Sequence, residues 1–164
     1  MTLLAELVRT SARVAENPGR LAKTAALADL LKRVEPDEIE IAISYLSGEI
    51  AKLTIGYATL AAARGAASAA SSLSLQDVEA AFRNLKTIKG KGSAAQREAL
   101  LKRLFGKATA EEQDFLIRLI VGELRQGALE GVMLEAVAAA SGLPPADVRR
   151  GADAFATWLV AFDP

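Results

Sequence analysis

Apolar residues return every three or four positions along almost the whole chain, and nowhere do they alternate with polar ones over a sustained stretch. A period near 3.6 lines one face of a helix, whereas a period of two lines one face of a strand. The expected class is therefore all-α. Composition points the same way. Hydrophobic residues make up 51% of the chain but aromatic residues only 5%. Ala and Leu must then fill the core, and both are strong helix formers. At 164 residues the chain is expected to form one compact domain over 1–164.

The helix signals can be read in order. Leu3, Leu4, Leu7 and Val8 mark the buried face of a first helix. Asn17-Pro18 offers a cap followed by Pro at the first helical position of a second. Its stripe is Leu21, Leu27, Leu30, Leu31 and Val34. Pro36 restarts the chain, with Asp37, Glu38 and Glu40 near the positive end of a third helix and Ile39, Ile43 and Leu46 on its inner face. Gly48 and Gly56 punctuate a less regular patch before the apolar run 57–63, and residues 65–74 read as a small-residue linker. Ser74 with Asp77, Ser93, and Thr109 with Glu112 are expected N-caps. Leu75, Val78, Phe82 and Leu85 would be buried behind the first cap. Leu100, Leu101, Leu104 and Phe105 would be buried behind the second, and Phe115, Leu116, Leu119 and Ile120 behind the third.

Three segments recur. LADLLKRV (27–34) answers REALLKRL (97–104), YLSGEI (45–50) answers LIVGEL (119–124), and LSLQDVEAAF (73–82) answers LPPADVRRGA (143–152). The order is kept. A compact helical domain of two pseudo-symmetric repeats is expected, with halves at about 20–82 and 93–160, each presenting a Gly-containing helix junction at an equivalent place.

Much chemistry is excluded. There is no Cys and no His, so thiolate metal sites, cysteine nucleophiles, disulfides and histidine acid–base catalysis are all absent. The acids are scattered along helices rather than clustered for a metal. The apolar stretch 53–63 is too short to span a bilayer, and the charged first helix is not a signal peptide.

Net charge is zero, yet charge is polarised. Residues 83–107 hold eight bases (Arg83, Lys86, Lys89, Lys91, Arg97, Lys102, Arg103 and Lys107) against Glu98 alone. A polyanion could lie on such a face. Within it, KGKGS (89–93) places flexible glycines before a helix start, an arrangement that lets backbone N–H groups approach a phosphate. A solvated basic face with an ordinary loop is the alternative. A second candidate is GELRQG (122–127), where Gly122 and Gly127 interrupt a helical stretch around Arg125. Here the alternative is a plain helix end with an exposed Arg.

The succession FRNLK (82–86), KGKGS (89–93), ALLKRLF (99–105) and FLIRLIVGELRQG (115–127), followed by the small apolar helix of GALEGVMLEAVAAASG, resembles the N-terminal DNA-binding domain of ATP-dependent DNA ligases. The opening TSARVAENPGRLAKTAALADLLKR is similar to the compact bacterial, actinobacterial-style form of that family. The resemblance implies a helical domain that binds duplex or nicked DNA through the minor groove and the phosphate backbone, with little sequence preference. By the resemblance, Gly122, Glu123, Leu124, Arg125, Gln126 and Gly127 would form the principal junction on DNA. Lys91, Gly92 and Ser93 would make a second phosphate contact, and Lys52 would act in the first repeat, which lacks the Arg.

The chain has no Lys-x-Asp-Gly tetrapeptide, the motif that carries the adenylated lysine in the family. The expectation is accordingly no enzyme in this chain alone and no cofactor bound to it. ATP and magnesium would belong to a catalytic core expected beyond Pro164, the other partner besides DNA. A monomer in the bacterial cytoplasm, associated with the nucleoid, completes the reading. A helical protein–protein interaction module is the alternative, and an RNA-binding helical domain a third.

Overall fold

The computed structural model describes residues 1–124, 129–144 and 146–150, with the backbone alone at 129 and 130. The described residues are helical, as the periodicity requires: α1 (Leu4–Glu16), α2 (Arg20–Arg33), a 3-10 turn (Pro36–Glu38), α3 (Ile39–Ser47), α4 (Tyr57–Ala63), α5 (Leu75–Thr87), α6 (Ser93–Gly106), α7 (Ala110–Val121) and α8 (Leu129–Ser141). Among them the only β pairing is one isolated antiparallel bridge, Leu3 with Ser74.

α1 organises the core. Leu4, Leu7 and Val14 lie on one face and are buried. That face packs against α2, α3 and α7, so one helix touches elements from both halves of the sequence. Its start is stitched to the start of α5 by Leu4 N–H donating to Leu73 O at 2.8 Å and Leu75 N–H donating to Thr2 O at 3.0 Å. Nearby, the buried Glu38 carboxylate accepts from the Thr2 N–H at 3.1 Å and from the Thr2 hydroxyl at 3.3 Å. Residues 65–74 are thus not a free linker: Ser68 N–H also donates to Ala108 O at 2.8 Å.

Around α1 the remaining helices pair. α2 packs on α8 and α6 on α4; α3 touches α8, and α7 touches α4. The stretch matching α5 falls at 143–152, part of which lies outside the described residues. α8 lies close to α2 because Gly131 leaves room for Arg20: a Cβ there would meet Arg20 Nη2 at 3.1 Å. The guanidinium grips Glu135, with Nη2 2.8 Å from Oε1. This hydrogen bond holds the Glu135 carboxyl below its ordinary pKa.

Elsewhere Tyr45 stacks at a tilt on Phe82, ring centroids 5.8 Å apart, and donates to Glu79 Oε2 at 2.7 Å. Burial, then the Glu79 carboxylate, pushes its phenol pKa up.

Most of the expected stripes are buried, and three local expectations are corrected. α2 begins after Gly19, not at Asn17-Pro18; Asn17 instead donates its side-chain amide to Arg13 O, closing the end of α1. Leu21 is 86% exposed, because the buried face of α2 starts a turn later at Ala26. Ser93 is the first residue of α6, and Gly92 occupies the cap position with no side-chain bond. The other two caps form as expected. Ser74 and Asp77 make a reciprocal capping box, as do Thr109 and Glu112.

Each fully buried Leu contributes roughly 1.5–3 kcal/mol, whereas a cap contributes about 1 kcal/mol. Packing on α1 therefore outweighs capping, but the cap at Thr109 also closes over the wholly buried Glu112. Thr109→Ala should lower stability by about 1–2 kcal/mol in urea unfolding with an unchanged m-value. A loss below about 0.3 kcal/mol would mean the box is replaced by water.

Candidate nucleic-acid interface

α3 and α7 end in the same way. Gly48 adopts φ 72° and Gly122 φ 83°, the left-handed region that a side chain disfavours. Gly48 N–H reaches back to Tyr45 O and Glu49 N–H to Ser44 O; Gly122 N–H reaches Leu119 O and Glu123 N–H Arg118 O. Both are Schellman turns, which satisfy the last carbonyls of a helix while turning the chain away from its axis.

After Gly48 the chain runs without regular structure through 49–56 into α4. It includes Thr54 at φ 55°, the non-glycine with positive φ among the described residues. After Gly122, Glu123 is exposed and Leu124 is buried. The side chain of Leu124 therefore anchors the junction in the core rather than facing outward. Arg125, Gln126 and Gly127 lie outside the described residues.

The two junctions meet. One open groove of about 720 Å³ is lined by Gly48, Ile50, Lys52 and the 54–57 segment on one side and by Leu119, Ile120, Val121 and Gly122 on the other. Lys52 is exposed and makes no ion pair with a described residue. Among the described residues it is the only charged side chain on the lining. Two turns some seventy residues apart in sequence thus frame one surface, a juxtaposition that the local motifs could not show. Sequence reasoning also missed the far wall of the groove and Tyr57, which is 64% exposed. Its place directly after Gly56, at a helix start, was the available signal.

The loop before α6 forms a second candidate contact. Gly90 and Gly92 adopt φ 89° and 80°, and Ser93 N–H closes the turn on Gly90 O at 3.2 Å. No side chain caps α6, so the N–H groups of Ala94 and Ala95 are left without a partner close in sequence to the exposed Lys89 and Lys91.

Not all of the surrounding basic segment is free to meet an anion. Arg97 donates to Ile88 O at 3.1 Å and holds the loop to the helix. Lys102 pairs with Glu98 at 3.1 Å. Arg83 and Lys86 line a neighbouring groove together with Asp37, Glu40, Glu49 and Glu79, where acids outnumber them. Lys89, Lys91, Arg103 and Lys107 remain exposed without an ion pair to a described residue.

The Glu35, Asp37 and Glu38 carboxylates approach within 4.8 Å of one another. Glu35 and Glu38 already accept from the Met1 ammonium and the Thr2 amide, and Asp37 accepts from the Gln76 side-chain amide at 3.2 Å. No described helix is long and apolar enough to cross a membrane.

The fold and site define an all-α domain of short helices joined by glycine-capped turns, with its open surface at those turns. Residues 57–138 match the family described as DNA ligase N terminus. A probable DNA ligase of Saccharopolyspora erythraea is 49% identical over 152 residues, covering 92% of this chain and 30% of the relative. Probable DNA ligases of Mycobacterium avium and of an Anaeromyxobacter species are each 47% identical, over 92% and 90% of this chain. The chain spans about 30% of the length of these relatives. It belongs to the DNA ligase N-terminal domain family.

Space around Gly122 is open, with nothing within 4 Å of a Cβ. A side chain there meets only the backbone strain of positive φ, about 1–2 kcal/mol. Gly122→Ala should therefore lower stability by about 1 kcal/mol and Gly122→Asn by clearly less, because Asn tolerates this region. Equal losses in thermal unfolding would show that something other than φ constrains the position.

Proposed function

We propose that this chain binds duplex and nicked DNA without sequence preference, through phosphates and the minor groove, as the DNA-binding domain of an ATP-dependent ligase. The observation that carries the reading is the groove in which the Gly48 and Gly122 turns face each other across Lys52. A glycine turn admits a sugar–phosphate strand close to the backbone, and a lysine without an ion-pair partner neutralises a phosphate. Lys91, Gly92 and Ser93 add a second phosphate contact, where backbone N–H groups and the positive end of α6 face outward. Two contacts of this kind position a protein on DNA without reading bases.

Membership of the ligase family supports the reading. The exchanged packing of α2 with α8 and α6 with α4 supports an origin by duplication, with one junction per unit. In this reading the chain acts as a monomer on bacterial chromosomal DNA. Adenylation with ATP and magnesium belongs to a catalytic core that the chain helps to close around the nick. Its own residues supply positioning rather than chemistry.

A salt titration tests this. Binding of nicked duplexes of two unrelated sequences should weaken together as salt rises. Lys52→Ala and Arg125→Ala should each lower affinity equally for both sequences and flatten the slope of log affinity against log salt by about one. Unfolding midpoints should stay within about 0.5 kcal/mol of the parent for Lys52→Ala, an exposed site. Salt-independent binding, or none, would remove the reading. Loss confined to one sequence would replace backbone contact by base readout.

A further inference from the structure

We propose that the groove between the 48–57 segment and the end of α7 selects deoxyribose over ribose. The proposal rests on the DNA-binding reading above and names what that groove recognises besides phosphate. The lining is unusual for a nucleic-acid surface. Among the described residues it holds one cation, Lys52, and its walls are aliphatic: Ile50 and Ile55 on one side, Ile120 and Val121 on the other. These four are half-buried, packed inward on the core and open outward. Thr54 and Tyr57, which bring the two hydroxyls of the lining, are both exposed. Those four half-buried side chains offer no hydrogen-bonding group.

A strand whose phosphate meets Lys52 must lay its neighbouring sugars along those walls, because phosphate and sugar alternate along the backbone. The deoxyribose C2′ carries only hydrogens and packs on Ile and Val without loss. A ribose carries a hydroxyl there, and burying it against aliphatic carbon removes its water without supplying a partner. The 2′-hydroxyl is also the group by which a protein can tell the two nucleic acids apart at a given site. An apolar wall discriminates by leaving that group unsatisfied, whereas a phosphate contact cannot distinguish the sugars. Tyr57 extends the wall outward with an aromatic face that suits a sugar edge.

The test compares a nicked DNA duplex with the same duplex carrying ribonucleotides at alternate positions of one strand, measured by fluorescence anisotropy with the whole chain. DNA should bind about tenfold more tightly, the loss expected for one hydroxyl buried without a partner. Val121→Thr keeps the shape of the side chain and Ile55→Thr gives up one methyl group, and each gives the wall a hydroxyl. Each should narrow the ratio to about threefold, because the hydroxyl it adds gives the ribose 2′-hydroxyl a partner. Lys52→Ala should weaken both duplexes equally and leave the ratio unchanged.

A parent ratio near one would overturn the proposal while leaving DNA binding intact. So would an unchanged ratio in both threonine variants when their melting temperatures match the parent. Absence of binding to either duplex would instead overturn the underlying DNA-binding reading, and this proposal with it. If sedimentation shows a dimer that the threonine variants abolish while both duplexes bind as before, the groove is a protein contact and the proposal fails.

Discussion

Gly48 and Gly122 stop α3 and α7 in the left-handed conformation, and the surface of this domain follows from those two stops. A helix that continued past either residue would carry its carbonyls into the space now open between them. The Schellman bonds from Glu49 to Ser44 and from Glu123 to Arg118 satisfy those carbonyls within the turn itself. The chain is then free to leave each helix axis without an unpaired buried group. Both stops hold their places because the helices before them are anchored. Tyr45 and Leu46 are buried in α3, and Leu116 and Leu119 in α7; both helices rest on α1. The core thus fixes where the backbone is exposed, and the exposed backbone defines the groove.

Charge is distributed to the same end. The whole chain is neutral, so attraction to a polyanion depends on which cations are left without partners. Arg20 is committed to Glu135, Arg64 to Asp114, Lys102 to Glu98 and Arg97 to a backbone carbonyl. Exposed pairs of this kind add little stability, but they remove charge from the surface that another molecule meets. What remains near the glycine turns, among the described residues, is Lys52 in the groove, Arg118 in the last turn of α7, and Lys89 and Lys91 on the loop before α6. Glu49 and Glu123 follow the two stops, and both are exposed.

Much of this was legible in the sequence because it is local. The capping boxes at Ser74 and Thr109 involve residues three apart, and the stripes around Leu75–Leu85 and Leu101–Phe105 repeat at helical spacing. The glycine junction at 122 and the loop at 90–92 could be read from residue type, since few other residues adopt positive φ. What was not legible depends on tertiary neighbours. Leu21 belongs to an apolar stripe by spacing, yet the buried face of α2 begins only at Ala26 and leaves it exposed. Asn17-Pro18 has the chemistry of an N-cap, but Asn17 closes the preceding helix instead. Ser93 lost its capping role to Gly92 because the left-handed turn places glycine at the cap. The meeting of the two junctions across one groove is a property of how α3 and α7 pack on α1, and no local pattern encodes it.

The central claim is that the two glycine turns form one DNA-facing surface. Amide hydrogen exchange with and without nicked duplex tests it most directly. The account predicts slowed exchange on DNA binding in 48–57, in 119–124 and in 89–95, all together, with the buried face of α1 unchanged. Protection confined to α1 and α8, or appearing at only one of the two turns, would contradict it.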